Sequence, residues 1–164
     1  MDKFECCPLI KVEDWDDKIH QWTGKQFVKG YIKSFFGIPC NIGKVMTSID
    51  SKIRAVGANG PDYVCLFDKK TKFKIDVMVE VTKEVPNMEH VTISGKFYSK
   101  VYEGSYCKIG EWKRDFKNIM KKKMLEQGKV YLWYTSCPQC AKRNGKNYIV
   151  LIAECKKKSV NFVV

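Results

Sequence analysis

Long apolar runs and a leader-like N-terminus are both missing from this sequence of 164 residues. No uninterrupted apolar stretch approaches the roughly 18 residues that a membrane-spanning helix needs. The opening stretch, MDKFECC, contains two acids and no apolar segment of the kind that marks a secretory signal peptide. We therefore expect an intracellular protein without a membrane partner.

Histidine is scarce, and acidic residues are scarce in the second half of the chain. Residues 1–95 carry 14 basic and 13 acidic side chains, a net charge of +1, whereas residues 96–164 carry 16 and 5, a net charge of +11. A strongly basic region is typical of a protein that binds a polyanion, most often nucleic acid. A lysine-rich surface that only maintains solubility is the competing interpretation.

Cysteine, in contrast, is abundant, with eight residues. Without a secretion signal we expect reduced thiols rather than a disulfide framework. Cys137 and Cys140 form C-P-Q-C, half of a zinc-ribbon knuckle, and Cys155, Cys107 and His90 are candidates for the remaining ligands. The favoured interpretation is a hairpin turn that carries two thiols, so Zn²⁺ is the less favoured cofactor.

The length and periodicity predict one α+β domain, residues 1–164, with a central mixed sheet flanked by helices. Its motif-bearing core would span about residues 12–135, and a basic, cysteine-bearing β-hairpin would span about residues 129–164. Apolar spacing predicts helices at residues 12–22, 23–37 and 109–127, the second with a T-x-x-Q capping box at Thr23 and Gln26. Strands are expected in two hairpins, 63–81 and 129–154, and a short strand or loop at 45–50.

Carboxylates occupy unusual places in the first hairpin, GPDYVCLFDKKTKFKIDVMVEVTKE. Asp62 follows a proline at the start of the first strand, and Glu80 interrupts an apolar second strand. Pairing around the DKKTK turn brings the start of one strand to the end of the other, so Asp62 and Glu80 should lie close together. Burying two carboxylates is unfavourable unless their charge is compensated, and a divalent cation would do so.

Pro61-Asp62, a hairpin and then Glu80-Val81-Thr82 resemble the PD-(D/E)-x-K nuclease superfamily, with threonine at the position of the superfamily lysine. The E-x-T variant resembles the cap-snatching endonucleases of segmented negative-strand RNA virus polymerases, of the bunyavirus and hantavirus kind. His20, in IHQWTGKQFVKGYI, is similar to the histidine that completes the metal site in that family. The resemblance covers roughly residues 18–100.

The resemblance implies a PD-(D/E)-x-K endonuclease fold and a divalent-metal-dependent endonuclease that cleaves single-stranded RNA, with one or two Mn²⁺ or Mg²⁺ ions. The implied metal ligands are His20, Asp62, Glu80, the backbone carbonyl of Val81 and, for a second ion, Asp50. Asp62 and Glu80 would act in catalysis together with Lys96, for which Lys100 is an alternative and Lys83 a weaker one. Histidine in the ligand set favours Mn²⁺.

The implied partners are capped RNA and the remainder of a viral polymerase in the host cytoplasm. Lys113, Lys117 and Lys121 on the predicted helix at 109–127 would contact phosphates. Tyr98, Tyr102 and Tyr106 would stack bases or form a buried helix face. Two other functions compatible with the sequence are a DNA endonuclease of the resolvase or restriction type and a non-catalytic basic nucleic-acid-binding module.

Overall fold

The computed structural model describes Cys7, residues 9–36 and residues 38–156. Within these residues the helices are α1 (Val12–Trp15), α2 (Ile42–Ala55), α3 (Ile109–Lys122) and α4 (Pro138–Asn144), with a 3₁₀ turn at Tyr106–Lys108. The strands are β1 (Lys18–Phe35), β2 (Ile38–Pro39), β3 (Cys65–Lys69), β4 (Lys74–Glu80), β5 (Glu89–Glu103), β6 (Glu126–Tyr134) and β7 (Tyr148–Lys156). None of the described helices has the length and apolar character needed to cross a bilayer.

Six of the described strands pair into a closed ring, in the order β1-β4-β3-β6-β7-β5 and back to β1, with β2 attached to the end of β1. Every one of these pairings is antiparallel. The fold class is α+β, as predicted. The expectation of a mixed sheet is wrong, since no strand pairing among the described residues is parallel.

The two faces of the ring have different coverings. Both long helices lie outside: α2 places Ile49 and Ile53 against β1 and β4, and α3 places Phe116 and neighbouring residues against β5 and β7. The inner face is filled by large buried side chains, among them Trp22, Phe27, Leu66, Met78, Phe97, Trp133 and Ile152. Cross-strand partners share a face, so the register decides which polar groups point inward.

The predicted helix at residues 23–37 is wrong, because this segment belongs to the long strand β1. Its apolar residues are aromatic or β-branched, which favours a strand, and it contains Gly24 and Gly30, which disfavour a helix. Phe27, Val28 and Ile32 are fully buried, whereas Tyr31 and Phe35 are exposed. The spacing of apolar residues therefore reflected a strand buried on both faces and not a helical stripe.

Residues 45–50, expected as a short strand or loop, belong to helix α2. Their β-branched side chains favoured the strand interpretation, but Val45, Ile49 and Ile53 recur every fourth residue and face the sheet. The packing is close, since a Cβ on Gly30 would lie 2.8 Å from Cδ1 of Ile49. Glycine in β1 thus lets the helix approach.

The remaining predicted elements match in part. The predicted helix at 12–22 is wrong beyond Trp15, because β1 begins at Lys18. The hairpin around DKKTK forms with Cys65 opposite Val79. Helix α3 is found but ends at Lys122, and the second hairpin forms from β6 and β7 with α4 inserted between them. Residues 157–164 of that predicted hairpin lie outside the described residues.

Candidate functional site

Asp62 and Glu80 do converge, and a lysine lies between them. Glu80 ends β4 and is only 3% exposed, and its Oε2 accepts a hydrogen bond of 3.2 Å from the backbone N–H of Val64. Nζ of Lys25 lies 2.5 Å from Oε1 of Glu80 and 3.5 Å from Oδ2 of Asp62. Asp62 is 52% exposed and Lys25 17%, so the group opens to solvent on the Asp62 side.

A β-bulge in β1 directs the side chain of Lys25 toward this site. Trp22 pairs with Gly95 and Lys25 with Ile93, so three steps on β1 match two steps on β5. The extra residue reverses the alternation of side chains, which puts Lys25 on the same inner face as Trp22. Gly24 makes the bulge, with φ of +62° and its N–H donating to Oγ of Ser94 at 2.8 Å. Left-handed backbone of this kind favours glycine.

Lys25 lies on the strand next to the one that leads into Thr82, the residue at the position of the superfamily lysine. Phe27 pairs with Glu80, and the N–H of Val81 donates to the carbonyl oxygen of Gln26 at 2.9 Å. Continuing that register by one residue places Lys25 opposite Thr82. The ammonium group beside Glu80 therefore comes from the neighbouring strand.

The segment before β3 is shaped around the Glu80 carboxylate. A Cβ on Gly60 would lie 2.6 Å from Cδ and 2.8 Å from Oε2 of Glu80, so only glycine leaves room for the carboxylate there. Tyr63 has φ of +54°, a conformation that a bulky residue rarely adopts, and its side chain is 47% exposed. Backbone strain of this kind often occurs at functional sites.

His20 lies on the same inner face of β1, opposite Phe97. Its Nε2 is 2.6 Å from Oγ of Ser99, and that hydroxyl donates to the carbonyl oxygen of Trp15 at 2.7 Å. Since the hydroxyl proton of Ser99 is used there, Nε2 of His20 is the donor and Nδ1 keeps its lone pair. Burial and then the charge of Lys25 lower the pKa of His20, partly opposed by Asp62, so the imidazole is neutral near pH 7.

Asp50 and Lys96 are not brought to this site. Asp50 lies on α2, which packs on the outer face of the sheet, and its carboxylate pairs with Arg54 at 2.7 Å. Lys96 lies on β5 opposite Gln21, on the face away from His20. The expectation that these two residues join the carboxylates is therefore wrong, and strand alternation explains the error for Lys96.

The two alternative lysines are placed differently again. Lys100 shares the outer face of β5 with Lys96, and its Nζ lies 3.5 Å from Oδ1 of Asp16. Lys83 is exposed beyond the end of β4. Val81 is buried and forms a bridge with Asn59, and ligation by its carbonyl oxygen stays a prediction.

Two further carboxylates on the inner face are also neutralised by lysines. Asp68 and Asp76 pair across β3 and β4, and both are buried. Asp68 contacts Lys129 at 2.6 Å and Lys70 at 2.8 Å, and Asp76 contacts Lys29 at 3.3 Å. Burial alone would raise the pKa of Asp68, but Lys129 and Lys70 hold it below its ordinary value. Compensation by lysine is thus a general feature of this face.

Basic and aromatic side chains cover other parts of the surface. Lys113, Lys117 and Lys121 are exposed along α3. Tyr98 and Tyr102 are not available for stacking on bases, because they stack on Phe116 and Trp112 beneath α3. Among exposed aromatic residues, four lie near the far ends of β1 and β4, namely Tyr31, Phe35, Phe36 and Phe73.

Sequence reasoning missed Lys25, Gly60 and the hydroxyl of Ser99. Treating residues 23–37 as a helix hid Lys25, although Thr-Gly-Lys within a β-rich segment is a signal for a bulge. Gly60 lies in A-N-G-P, a sequence typical of a turn, and its closeness to Glu80 depends on tertiary packing. No local pattern marks Ser99, which lies 79 residues from His20.

Comparison with known proteins gives one family. A family model described as bacterial hydrolase matches residues 1–155. A search of curated proteins finds no significant match.

Proposed function

Because the chain belongs to the bacterial hydrolase family, we propose that it hydrolyses phosphodiester bonds of single-stranded RNA at the site formed by Asp62, Glu80 and Lys25. The family description supports hydrolysis of some kind. The substrate, the bond and the metal requirement are our inference from the chemistry of this site.

The observation that carries the proposal is the convergence of two carboxylates on one cationic position. Glu80 is buried, Asp62 is half exposed, and both lie within ion-pair distance of Nζ of Lys25. The three charges sum to −1, so the site retains negative charge after Lys25 is counted. A divalent cation together with one phosphate group would neutralise it.

The donor set fits a hard divalent cation. Mg²⁺ and Mn²⁺ are commonly held by one or two carboxylates, with water and substrate phosphate oxygens completing the shell. Asp62 and Glu80 would hold the ion, whereas the ligand atoms of His20, Asp62 and Glu80 do not all lie within 4.8 Å of one another, so the predicted His20 ligand is not placed at the site in this structure. When bound, the ion would supply Lewis acidity and a water molecule of lowered pKa.

The protein side chains then have separate tasks. Gly60 and the N–H of Val64 fix the Glu80 carboxylate, so its orientation is set before substrate arrives. Lys25 would shift from the carboxylates toward a non-bridging phosphate oxygen, where its charge stabilises the negative charge that develops. The catalytic lysine that the resemblance implies at Lys96 would therefore be Lys25, on the strand next to Glu80.

Single-stranded RNA is the substrate favoured by the surface next to the site. Tyr63 presents an exposed ring directly after Asp62, where a base could stack on it. The exposed lysines of α3 add sequence-independent attraction for phosphates. The E-x-T resemblance supports RNA over DNA.

A role in a viral polymerase is a separate proposal from RNA cleavage. Cap-snatching, a polymerase partner and the host cytoplasm all derive from the resemblance alone, whereas the matching family is described as bacterial. Cleavage of uncapped single-stranded RNA is therefore the activity to test first.

The experiment is incubation of the full chain with end-labelled single-stranded RNA and with DNA of the same sequence, with Mn²⁺ or with EDTA. We expect RNA to be cut with Mn²⁺, and Glu80→Gln and Lys25→Met to reduce cutting by at least about 100-fold, a typical loss for one group that stabilises the transition state. Lys33→Met, an exposed lysine on the same strand, is the matched control and should leave the rate unchanged.

A non-catalytic RNA-binding module is the second candidate. The observation in its favour is that Asp68 and Asp76 are paired by lysines in the same way as Glu80, which is a structural role. It predicts that RNA binds equally well with Mn²⁺ and with EDTA and is recovered intact. That result would overturn the proposal of hydrolysis.

A further inference from the structure

Three cysteine sulfur atoms from distant parts of the chain meet beyond the end of β6. The Sγ atoms of Cys7, Cys137 and Cys140 all lie within 4.8 Å of one another. Among the described residues, no other set of three ligand atoms from His, Cys, Asp or Glu lies this close together. Cys140 is buried and the other two are half-buried. This group, the cysteine cluster, is separate from Glu80 and does not depend on the proposed function.

Local structure explains how C-P-Q-C presents two thiols together. Cys137 is the N-cap of α4, with extended backbone, and Cys140 lies in the first helical turn. Side chains at the N-cap and three residues further lie next to each other, as in a capping box. The N–H of Ala141 donates to the carbonyl oxygen of Cys137 at 2.9 Å, which fixes the start of the turn.

The third thiol comes from near the N-terminus. The backbone N–H of Cys137 donates to Sγ of Cys7 at 3.3 Å, across 130 residues of sequence. The predicted partners of this pair, Cys155, Cys107 and His90, do not belong to the cluster. His90 instead contacts the backbone of Val85, and Cys107 contacts Ser105.

From this geometry we infer that Cys7, Cys137 and Cys140 bind a zinc ion. Zn–S bonds of about 2.3 Å in a tetrahedral site place sulfur atoms about 3.8 Å apart, which is within the 4.8 Å that bounds the separations of these three sulfur atoms. The described residues supply three ligands, and a water molecule or a further side chain would complete the tetrahedral shell. Each thiol gives up its proton, so the bound ion and three thiolates carry a net charge of −1 and three protons are released.

The surroundings suit a negatively charged zinc–thiolate group. Nη2 of Arg143 lies 3.5 Å from Sγ of Cys140, and the N–H of Cys137 points at Sγ of Cys7. Donors of this kind stabilise thiolates and tune the metal site. Lys142 and Lys146, close in sequence, add positive charge to the same region.

Two ordinary explanations account for less of the arrangement. Buried thiols pack like small apolar groups, but packing does not require sulfur atoms from two segments to converge. A disulfide between Cys137 and Cys140 would not explain why Sγ of Cys7 lies within 4.8 Å of both sulfur atoms. A metal uses all three.

The first test is the metal content of the full chain, purified from zinc-supplemented medium under reducing conditions. We expect one equivalent of zinc in the wild type and in Cys107→Ser, an exposed cysteine outside the cluster. Cys7→Ser, Cys137→Ser and Cys140→Ser should each retain much less. Zinc-free wild-type protein, or a Cys137–Cys140 disulfide found by mass spectrometry, would overturn the inference.

A second test covers the case in which the serine variants fail to fold. Wild-type protein stripped of metal is titrated with Co²⁺, and thiolate-to-cobalt charge-transfer absorption should appear with a 1:1 endpoint. The binding should also weaken as the pH falls, because three protons compete with the metal. Absence of that absorption would contradict a thiolate site, whatever the variants do.

Discussion

The Glu80 carboxylate contacts Lys25 and the backbone of Val64 and fits against Gly60. Among these single residues, Lys25 is the one whose removal tests the charge compensation of Glu80. Breaking a buried ion pair by removing one partner leaves an uncompensated charge, which costs about 3–5 kcal/mol. We expect Lys25→Met to lower the free energy of unfolding by about this amount, measured by urea denaturation. Lys33→Met should change it by less than about 0.5 kcal/mol.

A double substitution separates lost charge compensation from lost packing. In Lys25→Met with Glu80→Gln, the buried charge is gone and the N–H of Val64 can still donate to the amide oxygen. Much of the lost stability should return, because the two sites are coupled. If the double variant is less stable than Lys25→Met alone, the account of this pair is wrong.

Gly60 provides a test of how the Glu80 carboxylate is positioned. A methyl group at residue 60 would displace the carboxylate, since its Cβ would lie 2.6 Å from Cδ of Glu80. We therefore expect Gly60→Ala to lower the RNA cleavage rate at least about tenfold, because misplacement by about 1 Å is costly in catalysis. Gly43→Ala, on α2 with no atom near the new methyl group, should keep the wild-type rate.

The neutral state of His20 makes stability depend on pH. Its pKa in the folded protein lies below the ordinary value of 6.5. Between those two values the unfolded chain binds more protons, so stability falls as the pH drops below about 6.5 toward the folded pKa. Comparison of urea midpoints at pH 7.5 and pH 5.5 should show a larger loss for the wild type than for His20→Gln. An equal loss would contradict this assignment.

Among the elements, α3 is expected to contribute electrostatic affinity for RNA. Each phosphate contact with a single strand contributes about 0.7 to the slope of log K against log salt. Replacing Lys113, Lys117 and Lys121 by glutamine should therefore reduce that slope by about 2. Replacing the exposed Lys44 and Lys52 of α2 is the matched control and should change it little. Equal effects from both helices would indicate non-specific attraction.

The elements also show which sequence signals were sufficient. The β3–β4 hairpin and α3 follow from strict local patterns, namely alternation around a turn and apolar residues every three to four positions. β1 does not, since it is buried on both faces and carries a bulge. α2 does not, since its β-branched residues Val45, Thr47 and Ile49 favour strands. In both β1 and α2, packing against other segments determines whether the residues form a strand or a helix, and a local sequence pattern carries no information about that packing.

The residues of the site were likewise predictable only where a local pattern joins them. Asp62 and Glu80 were found because a short hairpin joins them. Lys25 was missed because one inserted residue in β1 decides which face it occupies. The contact of Cys7 with Cys137, between residues 130 apart in sequence, has no local signal at all.

At the scale of the whole molecule, the proposed function would use the basic charge for binding and the closed ring of strands for catalysis. The net charge of +12 attracts a polyanion over a distance set by ionic strength. The rigid inner face holds Glu80 and Lys25 in a fixed geometry, and Asp62 and Tyr63 open that site to solvent. The central claim is that this opening binds a divalent metal for hydrolysis.

The midpoint of thermal unfolding with and without Mn²⁺, in the wild type and Glu80→Gln, tests that claim most directly. A metal that binds only the folded state stabilises it by about 2.7 kcal/mol at 100 times its dissociation constant. We predict a clear upward shift in the wild type, little or none in Glu80→Gln, and an unchanged shift in Lys33→Met. Equal midpoints with and without Mn²⁺ in the wild type would contradict the account and leave Glu80 as a structural carboxylate paired with Lys25.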